Sequence, residues 1–447
     1  MGKLFLGCFL IVLTACRQPA NPVSVNRQDT VPPIEKIVMY EVFVRNFTAS
    51  GTFEAMLAHL PRLRQLGVNV LWLMPVQPTG LVKKKGTYGS PYSIRNYTAL
   101  HPDLGTAADF RRLVDSIHAL GMFIILDHVA NHTAWDHVWV QQHPEWYTRD
   151  SAGHMIPSVP DWTDIADLNY EQRALWDAQI ASMKYWIDSF NIDGFRCDVA
   201  EMVPLEFWKE AIGHLRQLRP LLMLAEGADP KLYEAGFNMT YGWEMYHGLK
   251  KVWNGQASAR LIDSLYRREQ QLYPPQYRHL RFITNHDENS WDDVPQRVFI
   301  SEKGAQAAFV VQLTLPGVPF LYNGQEVGYE QRINLFEKYI IDWQARPDLQ
   351  QWYQRLLQFY HNSAALQKGA IEFWNSDDVL CYRRQADHDQ SVFVVVNCRN
   401  RPVRYPVPEA LSHQRFTNII TGQTLTFHEE IGLNPFDHYV LMAKQKP

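Results

Sequence analysis

The chain has 447 residues, of which 46% are apolar and 20% are charged, and its 43 basic and 47 acidic side chains leave a formal charge of −4. This composition is typical of a globular protein, and the absence of a basic run argues against a nucleic-acid partner, because phosphate binding needs clustered Lys and Arg. After residue 16 no apolar stretch approaches the roughly 18 residues of a membrane helix, so any membrane attachment is expected at the N-terminus.

The N-terminus resembles an export signal. One positive charge, on Lys3, precedes an apolar run from Leu4 to Leu13, and Leu13-Thr14-Ala15-Cys16 is similar to a bacterial lipobox, in which the cysteine is acylated. We expect residues 1–16 to be a lipoprotein signal, with Cys16 as the lipidation site; a plain signal peptide is the alternative. Residues 17–34 contain four prolines and no apolar periodicity, which predicts a linker. The expected location is periplasmic or at the cell surface, on a membrane.

Residues 35–365 are predicted to form one β/α barrel. Short apolar runs alternate with amphipathic stretches; these runs are Ile37–Tyr40, Val68–Leu73, Met122–Leu126, Ile192–Phe195, Leu221–Leu224 and Phe282-Ile283. One amphipathic stretch places Trp176, Ile180, Met183, Ile187 and Phe190 on one helix face. About eight such units indicate a parallel sheet buried on both faces and closed into a TIM barrel. No Gly-x-Gly-x-x-Gly turn or P-loop supports the alternative, a doubly wound nucleotide fold.

Residues 366–447 are predicted to form a separate antiparallel β-sandwich domain. Alternating runs such as Val379–Tyr382 and Ser391–Asn397 indicate hairpins. The domain contains Cys381 and Cys398, and the sequence leaves open whether they pair.

Four predicted strands are followed by acids. Asp127, Asp198, Glu226 and Asp287 come at spacings that suit barrel units, and the carboxyl ends of barrel strands meet on one face. The longer interval from Asp127 to Asp198 predicts an inserted subdomain after strand 3, at residues 132–170. We expect at least two of its tryptophans to form a small core and others to line the substrate cleft; the four are Trp135, Trp139, Trp146 and Trp162.

These segments resemble the signatures of the α-amylase family, glycoside hydrolase family 13, and in particular a lipoprotein-type bacterial member. The resembling segments are Asp127–His132, Asp167–Asn169, Gly194–Asp198, Ala225–Gly227, Thr284–Asp287 and Gly317–Glu326. The resemblance implies Asp198 as nucleophile, Glu226 as acid/base and Asp287 as the carboxylate that stabilises the transition state. It also implies four substrate-binding residues, namely Tyr92, His132, Arg196 and His286.

Elementary chemistry makes these assignments reasonable. Alternation along a strand places Arg196 and Asp198 on one face, where the arginine keeps the aspartate ionised. Glu226 follows an apolar run that suits a raised pKa. A retaining glycosidase needs one charged and one protonated carboxyl group in this arrangement. Asp127 is interpreted as a structural partner of Arg196 or the backbone.

The sequence predicts that no cofactor is required. No zinc spacing is present, so no metal site is assigned. The resemblance implies Asn131, otherwise a structural residue, as a calcium-ligand position. However, Asp198–Met202 lacks the Lys-His pair that follows the nucleophile in calcium-binding amylases, which leaves calcium possible but disfavoured.

The predicted function is hydrolysis of α-1,4-glucosidic bonds in starch fragments or maltodextrins with retention of configuration. Alternatives within the family are an α-glucosidase, a cyclomaltodextrinase or a glucan transferase. An alternative of another class is a non-catalytic glycan-binding lipoprotein, which the three candidate catalytic acids disfavour. The expected partner is an α-glucan; the oligomeric state stays open.

Overall fold

A computed structural model describes residues 2, 30–386 and 391–443, so the lipidation candidate Cys16 and most of the linker lie outside it. Its strands are β1 (Met39–Val42), β2 (Val70–Leu73), β3 (Phe123–His128), β4 (His132–Ala134), β5 (Ile165–Asp167), β6 (Gly194–Cys197), β7 (Leu222–Ala225), β8 (Thr240–Tyr241), β9 (His279–Arg281), β10 (Val318–Tyr322), β11 (Ala370–Phe373), β12 (Val379–Gln385), β13 (Val392–Asn397), β14 (Val403–Pro406), β15 (Arg415–Asn418), β16 (Thr424–Thr426), β17 (Glu430–Leu433) and β18 (His438–Ala443).

The α-helices lie mainly between the strands of the first part of the chain. They are α1 (Val44–Phe47), α2 (Phe53–Leu57), α3 (Leu60–Leu66), α4 (Ala107–Ala119), α5 (Val138–Gln142), α6 (Arg173–Phe190), α7 (Leu205–Arg216), α8 (Lys231–Glu234), α9 (Trp243–Trp253), α10 (Arg260–Leu272), α11 (His286–Trp291), α12 (Pro295–Val298), α13 (Glu302–Thr314), α14 (Pro347–His361) and α15 (Ala364–Lys368). The helix predicted around Trp176–Phe190 is α6.

The predicted barrel is confirmed. Eight strands form one parallel sheet in the order β7-β6-β3-β2-β1-β10-β9-β8, and a parallel bridge between Leu224 and Met239 joins its two ends. The strands are buried over almost their whole length because helices cover the outside, as their continuous apolar runs predicted. Their carboxyl ends therefore present side chains to one common face.

The strand predicted at Phe282-Ile283 was placed too late. The strand is β9, which ends at Arg281, and Asp287 therefore lies in the first turn of α11 rather than at a strand end. The Asn285 side chain caps this helix by accepting the Glu288 backbone N–H. The acid still reaches the barrel face because α11 begins at that face.

The segment between β3 and α6 forms the predicted insertion, with β4 and β5 paired as an antiparallel ribbon. Trp146 is buried in its small apolar core, and Trp135 and Trp139 pack against that core. Trp162 lies elsewhere, with its ring edge-on to His132 at 5.6 Å. Three of the four tryptophans are therefore packing residues.

The C-terminal part is antiparallel, as predicted. Its six-stranded sheet has the order β11-β12-β13-β18-β15-β16, and β14 pairs with β17 in a second sheet. The two sheets enclose an apolar core that includes Val395, Tyr405 and Leu433. Cys381 and Cys398 are free and buried in the structure, so they do not pair.

None of the helices in the described ranges is both long enough and apolar enough to cross a membrane.

Candidate active site

A buried arginine is the centre of the site. Arg196 on β6 is fully shielded from solvent, and its Nη1 donates to Asp127 Oδ1 at 2.9 Å and to Asp198 Oδ1 at 2.6 Å. Its Nη2 lies 2.8 Å from Glu226 Oε2, but the N–H is not directed at that oxygen, so this contact is an ion pair without a well-formed hydrogen bond. Arg196 thereby brings together three of the four predicted acids.

The protonation of two acids follows from burial and from this arginine. Burial raises the pKa of Asp198 to about 6, against the opposing attraction of Arg196. Burial also raises the pKa of Glu226 to about 7, with the Asp198 and Asp287 charges adding to the rise. Near neutral pH, Asp198 is therefore mainly ionised while Glu226 retains a substantial protonated fraction. This is the division that acid-assisted nucleophilic attack needs.

The backbone after Asp198 holds Glu226 in place. Val199 has a φ of +36°, which a β-branched residue rarely adopts, and its N–H donates to Glu226 Oε2 at 2.7 Å. Two residues later the Glu201 carboxylate accepts the backbone N–H groups of Ala228 and Asp229. The loops that carry Asp198 and Glu226 are thus tied to each other by hydrogen bonds.

His286 and Asp287 lie beside this group at the start of α11. His286 Nε2 is 3.3 Å from Asp287 Oδ2, and Nδ1 is 2.5 Å from Glu41 Oε1 on β1. Burial opposes a charge on His286, but Asp287 and Glu41 outweigh it and raise the pKa of His286 to about 9. The imidazolium therefore supplies a second buried positive charge at the site.

Tyr92 links the two charged groups. Its ring stacks on His286 at 5.1 Å, and its hydroxyl lies 2.7 Å from His286 Nε2. Because His286 is protonated, Nε2–H donates to this hydroxyl, which in turn donates to Asp127 Oδ2 at 3.1 Å. Asp127 also accepts the Trp72 indole N–H at 3.2 Å.

His132 and Asn131 lie at the entrance to the inserted subdomain. Burial lowers the pKa of His132 to about 3, so its imidazole is neutral. Asn131 Nδ2 donates to Ser158 Oγ at 2.6 Å, and Ser158 donates to Asp167 Oδ1 at 2.6 Å. Asn131 thereby fixes the subdomain to the barrel.

The hydrogen bonds of the Asn131 side chain lead to one carboxylate. Calcium prefers six to eight oxygen ligands, several of them carboxylates. Here the Ser158 hydroxyl accepts a hydrogen bond from the Asn131 amide and donates one to Asp167, which is the one carboxylate in this chain of hydrogen bonds. Among the residues that the structure describes, no group of three or more His, Cys, Asp or Glu side chains could hold a metal ion.

The predicted residues open into one cleft of about 300 Å³. Asp198, Glu226 and Asp287 line it together with Tyr92, His132 and His286, whereas Asp127, Asn131 and Arg196 lie behind its wall. The remaining lining includes Trp162 from the inserted subdomain, Trp291 from the end of α11, and Lys85, Leu335 and Phe336 from barrel loops. Aromatic and aliphatic walls with a few converging polar groups are typical of a small-molecule site.

Three residues of the buried network behind the cleft were missed by sequence reasoning, as were the lining residues Lys85, Trp291, Leu335 and Phe336. Glu41 is fully buried against His286, Trp72 donates to Asp127, and the Tyr241 hydroxyl accepts Arg196 Nε–H at 3.2 Å. Glu41 had one available signal, since it is the charged residue in an otherwise apolar strand. Trp72 and Tyr241 had none, because their strand pattern is that of ordinary core residues.

A β/α barrel that gathers carboxylates at the carboxyl ends of its strands is an architecture that glycoside hydrolases use. The family model described as alpha amylase, catalytic domain, matches residues 39–162. An α-amylase from Lactobacillus plantarum is 30% identical, with a TM-score of 0.82 over 91% of this chain and 99% of that chain. The chain therefore belongs to the α-amylase family.

Two further relatives agree with this assignment. The maltogenic α-amylase AmyB from Thermotoga neapolitana is 28% identical, with a TM-score of 0.82 over 91% of this chain and 98% of that chain. Alpha-amylase MalA from Haloarcula japonica is 28% identical over 412 residues, which cover 87% of this chain. The chain spans 59% of the length of MalA and 65% of Alpha-amylase 3 from Dictyoglomus thermophilum.

Proposed function

We propose that the protein hydrolyses α-1,4-glucosidic bonds in starch-derived α-glucans or maltodextrins with retention of configuration. The observation that carries this proposal is the contact of one buried Arg196 with both Asp198 and Glu226 at the wall of a cleft that Asp287 also lines. The arrangement supplies a charged nucleophile and a proton donor side by side.

In the first step the Asp198 carboxylate attacks the anomeric carbon while Glu226 donates its proton to the leaving glycosidic oxygen. The bond to the leaving sugar breaks as the glycosyl–Asp198 ester forms. The negative charge thereby passes from Asp198 to Glu226, and the leaving sugar departs neutral. Asp287, beside the protonated His286, faces the positive charge that develops on the sugar.

In the second step Glu226, now ionised, removes a proton from water, which attacks the anomeric carbon and releases Asp198. The Val199 N–H, bonded to Glu226 Oε2, stabilises this ionised form. Two inversions give a product of α configuration.

The substrate class is supported by the relatives, among them proteins described as α-amylases and a maltogenic α-amylase.

A glucan transferase is a second candidate. It is favoured by the similarity to an α-1,4-glucan:maltose-1-phosphate maltosyltransferase from Cereibacter sphaeroides, which is 32% identical over 307 residues; the match covers 43% of the length of that enzyme. In a transferase a sugar hydroxyl replaces water in the second step. Formation of products both longer and shorter than maltotetraose, with no increase in the number of reducing ends, would favour this candidate.

The proposal is tested by the configuration of the first product and by two variants. Wild type acting on maltoheptaose is expected to release α-maltooligosaccharides, seen by NMR before mutarotation; a β product would refute Asp198 as nucleophile. Asp198→Asn should lose several orders of magnitude in turnover. Glu226→Gln should be slow on maltoheptaose but should react with α-maltosyl fluoride, whose leaving group needs no proton, and should accumulate a glycosyl-enzyme detectable by mass spectrometry.

We further propose that the protein is an exported bacterial lipoprotein, anchored through Cys16 on the periplasmic side of a membrane or at the cell surface. The support is the lipobox-like Leu13–Cys16 segment after a short apolar run. Full-length wild type should partition into the detergent phase of Triton X-114 and Cys16→Ala into the aqueous phase. Equal aqueous partition of both proteins would contradict the anchor.

A further inference from the structure

A large aromatic side chain stands exposed next to the cleft. Trp291 exposes 69% of its surface, more than the other large hydrophobic residues in the described ranges. It ends α11, one helical turn after Asp287. A turn of four residues advances about 6 Å, which is of the order of one sugar unit. Because Trp291 is exposed and also lines the cleft, its ring is accessible to a ligand there.

Trp291 also borders a second hollow of about 310 Å³. The hollow shares Trp291, Leu335 and Phe336 with the cleft, and its other lining residues are Ser290, Arg332, Asn334 and Tyr339. The two spaces therefore adjoin at these three side chains, and a chain that leaves the cleft at this side meets the indole. The lining combines aromatic faces with a guanidinium, an amide and a hydroxyl.

Hydrogen bonds within the protein fix the wall of the hollow. The Ile333 N–H donates to Asn289 Oδ1 at 2.7 Å, and Ser290 Oγ donates to the Ile333 carbonyl at 2.5 Å. Arg332 Nη2 donates to the Ser290 carbonyl at 2.5 Å. These bonds tie the loop after β10 to α11, so Trp291 faces a preformed surface and binding requires little ordering.

We propose that Trp291 and the hollow beside it bind further glucose units of the chain that occupies the cleft. The inference rests on the proposed function, and it makes Trp291 a specificity-determining residue for long α-glucans. The apolar face of a pyranose ring stacks on the indole, while Arg332 and Asn334 offer polar groups to its hydroxyls. A purely apolar partner would leave those polar groups without water or ligand, which is costly.

The test compares a long and a short substrate in the full-length enzyme. Trp291→Ala is expected to lower the ratio of kcat/KM for maltoheptaose to kcat/KM for p-nitrophenyl α-maltoside by about tenfold, which is the usual effect of one lost stacking contact. Trp291→Phe should restore most of the ratio because it keeps a stacking ring. Leu272→Ala, which removes a half-exposed apolar side chain from α10, is the control and should leave the ratio unchanged.

Each outcome separates the inference from the proposed function. An unchanged ratio in Trp291→Ala would overturn the inference while the proposed function stands. A changed ratio accompanied by an equal change in Leu272→Ala would also overturn it, since the effect would not be local. If wild type cleaves neither substrate, the proposed function fails, and the inference fails with it. The melting temperature of Trp291→Ala should match that of wild type, because an exposed ring contributes little to stability.

Discussion

Replacing Glu41 with glutamine should lower the pKa of His286, which carries the second buried positive charge of the site. Glu41 is fully buried, its Oε1 lies 2.5 Å from His286 Nδ1, and its Oε2 accepts the His286 backbone N–H at 3.3 Å. Burial lowers the pKa of His286, and the charges of Asp287 and Glu41 raise it to about 9. Glutamine keeps the size and an acceptor oxygen but removes one of these two charges, so we expect the pKa of His286 to fall.

The effect on stability depends on pH with a definite sign. A histidine whose pKa is 6.5 in the unfolded chain and about 9 in the folded protein binds its proton more tightly when folded. This difference adds about 3 kcal/mol to the free energy of unfolding. This contribution is fully present below pH 6.5 and is lost as the pH rises through about 9. Glu41→Gln should lose part of it at low pH, since Asp287 remains, and little at high pH. The difference in unfolding free energy between wild type and Glu41→Gln should therefore shrink from pH 6.5 to pH 9.5.

Urea unfolding of both proteins at several values of pH measures this difference. Glu269→Gln is a matched control: Glu269 is also buried and ion-paired, but its partner Arg281 stays charged throughout this range, with a pKa raised by Glu269 despite burial. The loss of unfolding free energy caused by Glu269→Gln should be constant with pH. A pH-independent deficit in Glu41→Gln as well would refute the assignment of a protonated His286, and NMR titration of the His286 ring would test it directly.

Three further predictions follow from the site. The rate on maltodextrins should peak between pH 6 and 7, falling about tenfold per unit below about 6, where Asp198 gains a proton, and above about 7, where Glu226 loses one; a profile flat from pH 5 to 8 would contradict both assignments. Trp162→Ala should raise KM for long maltodextrins. Trp146→Ala should instead lower the melting temperature, because truncating a core aromatic side chain costs about 3–5 kcal/mol of unfolding free energy; equal KM effects of the two variants would contradict their different positions. Activity should survive EDTA, and a loss restored by calcium would show that a calcium site exists.

The barrel was predictable because most of its strands are continuous apolar runs. The run Met122–Leu126 became β3 and Leu221–Leu224 became β7 with shifts of one or two residues. β9 was misplaced because its residues His279 and Arg281 are polar. Arg281 is buried because distant partners satisfy it: Glu269 accepts bonds of 2.8 and 2.5 Å, and the Pro316 carbonyl accepts one of 2.9 Å. β8 has two residues, Thr240–Tyr241, and is too short to give a periodic signal.

The site was predictable where residues follow each other along one strand and not where they meet across the barrel. Arg196 and Asp198 are two residues apart, so strand alternation alone brings them together. Glu41 is 245 residues from His286, and no local pattern links them. The placement of Trp146 in a core and of Trp162 in the cleft likewise depends on the folding of the subdomain, which the clustering of tryptophans did not specify.

The balance of charge behind the cleft explains why the acid is Glu226. Arg196 carries one positive charge and faces three carboxylates, so the group as a whole favours retaining a proton near neutral pH. Asp127 and Asp198 both accept directed hydrogen bonds from Nη1, which stabilise their ionised forms. Glu226 has only the less well directed approach of Nη2 and one backbone N–H, and burial raises the pKa of its carboxyl to about 7. A sugar that fills the cleft removes water from Glu226 and strengthens this preference, so substrate binding itself places the proton next to the glycosidic oxygen.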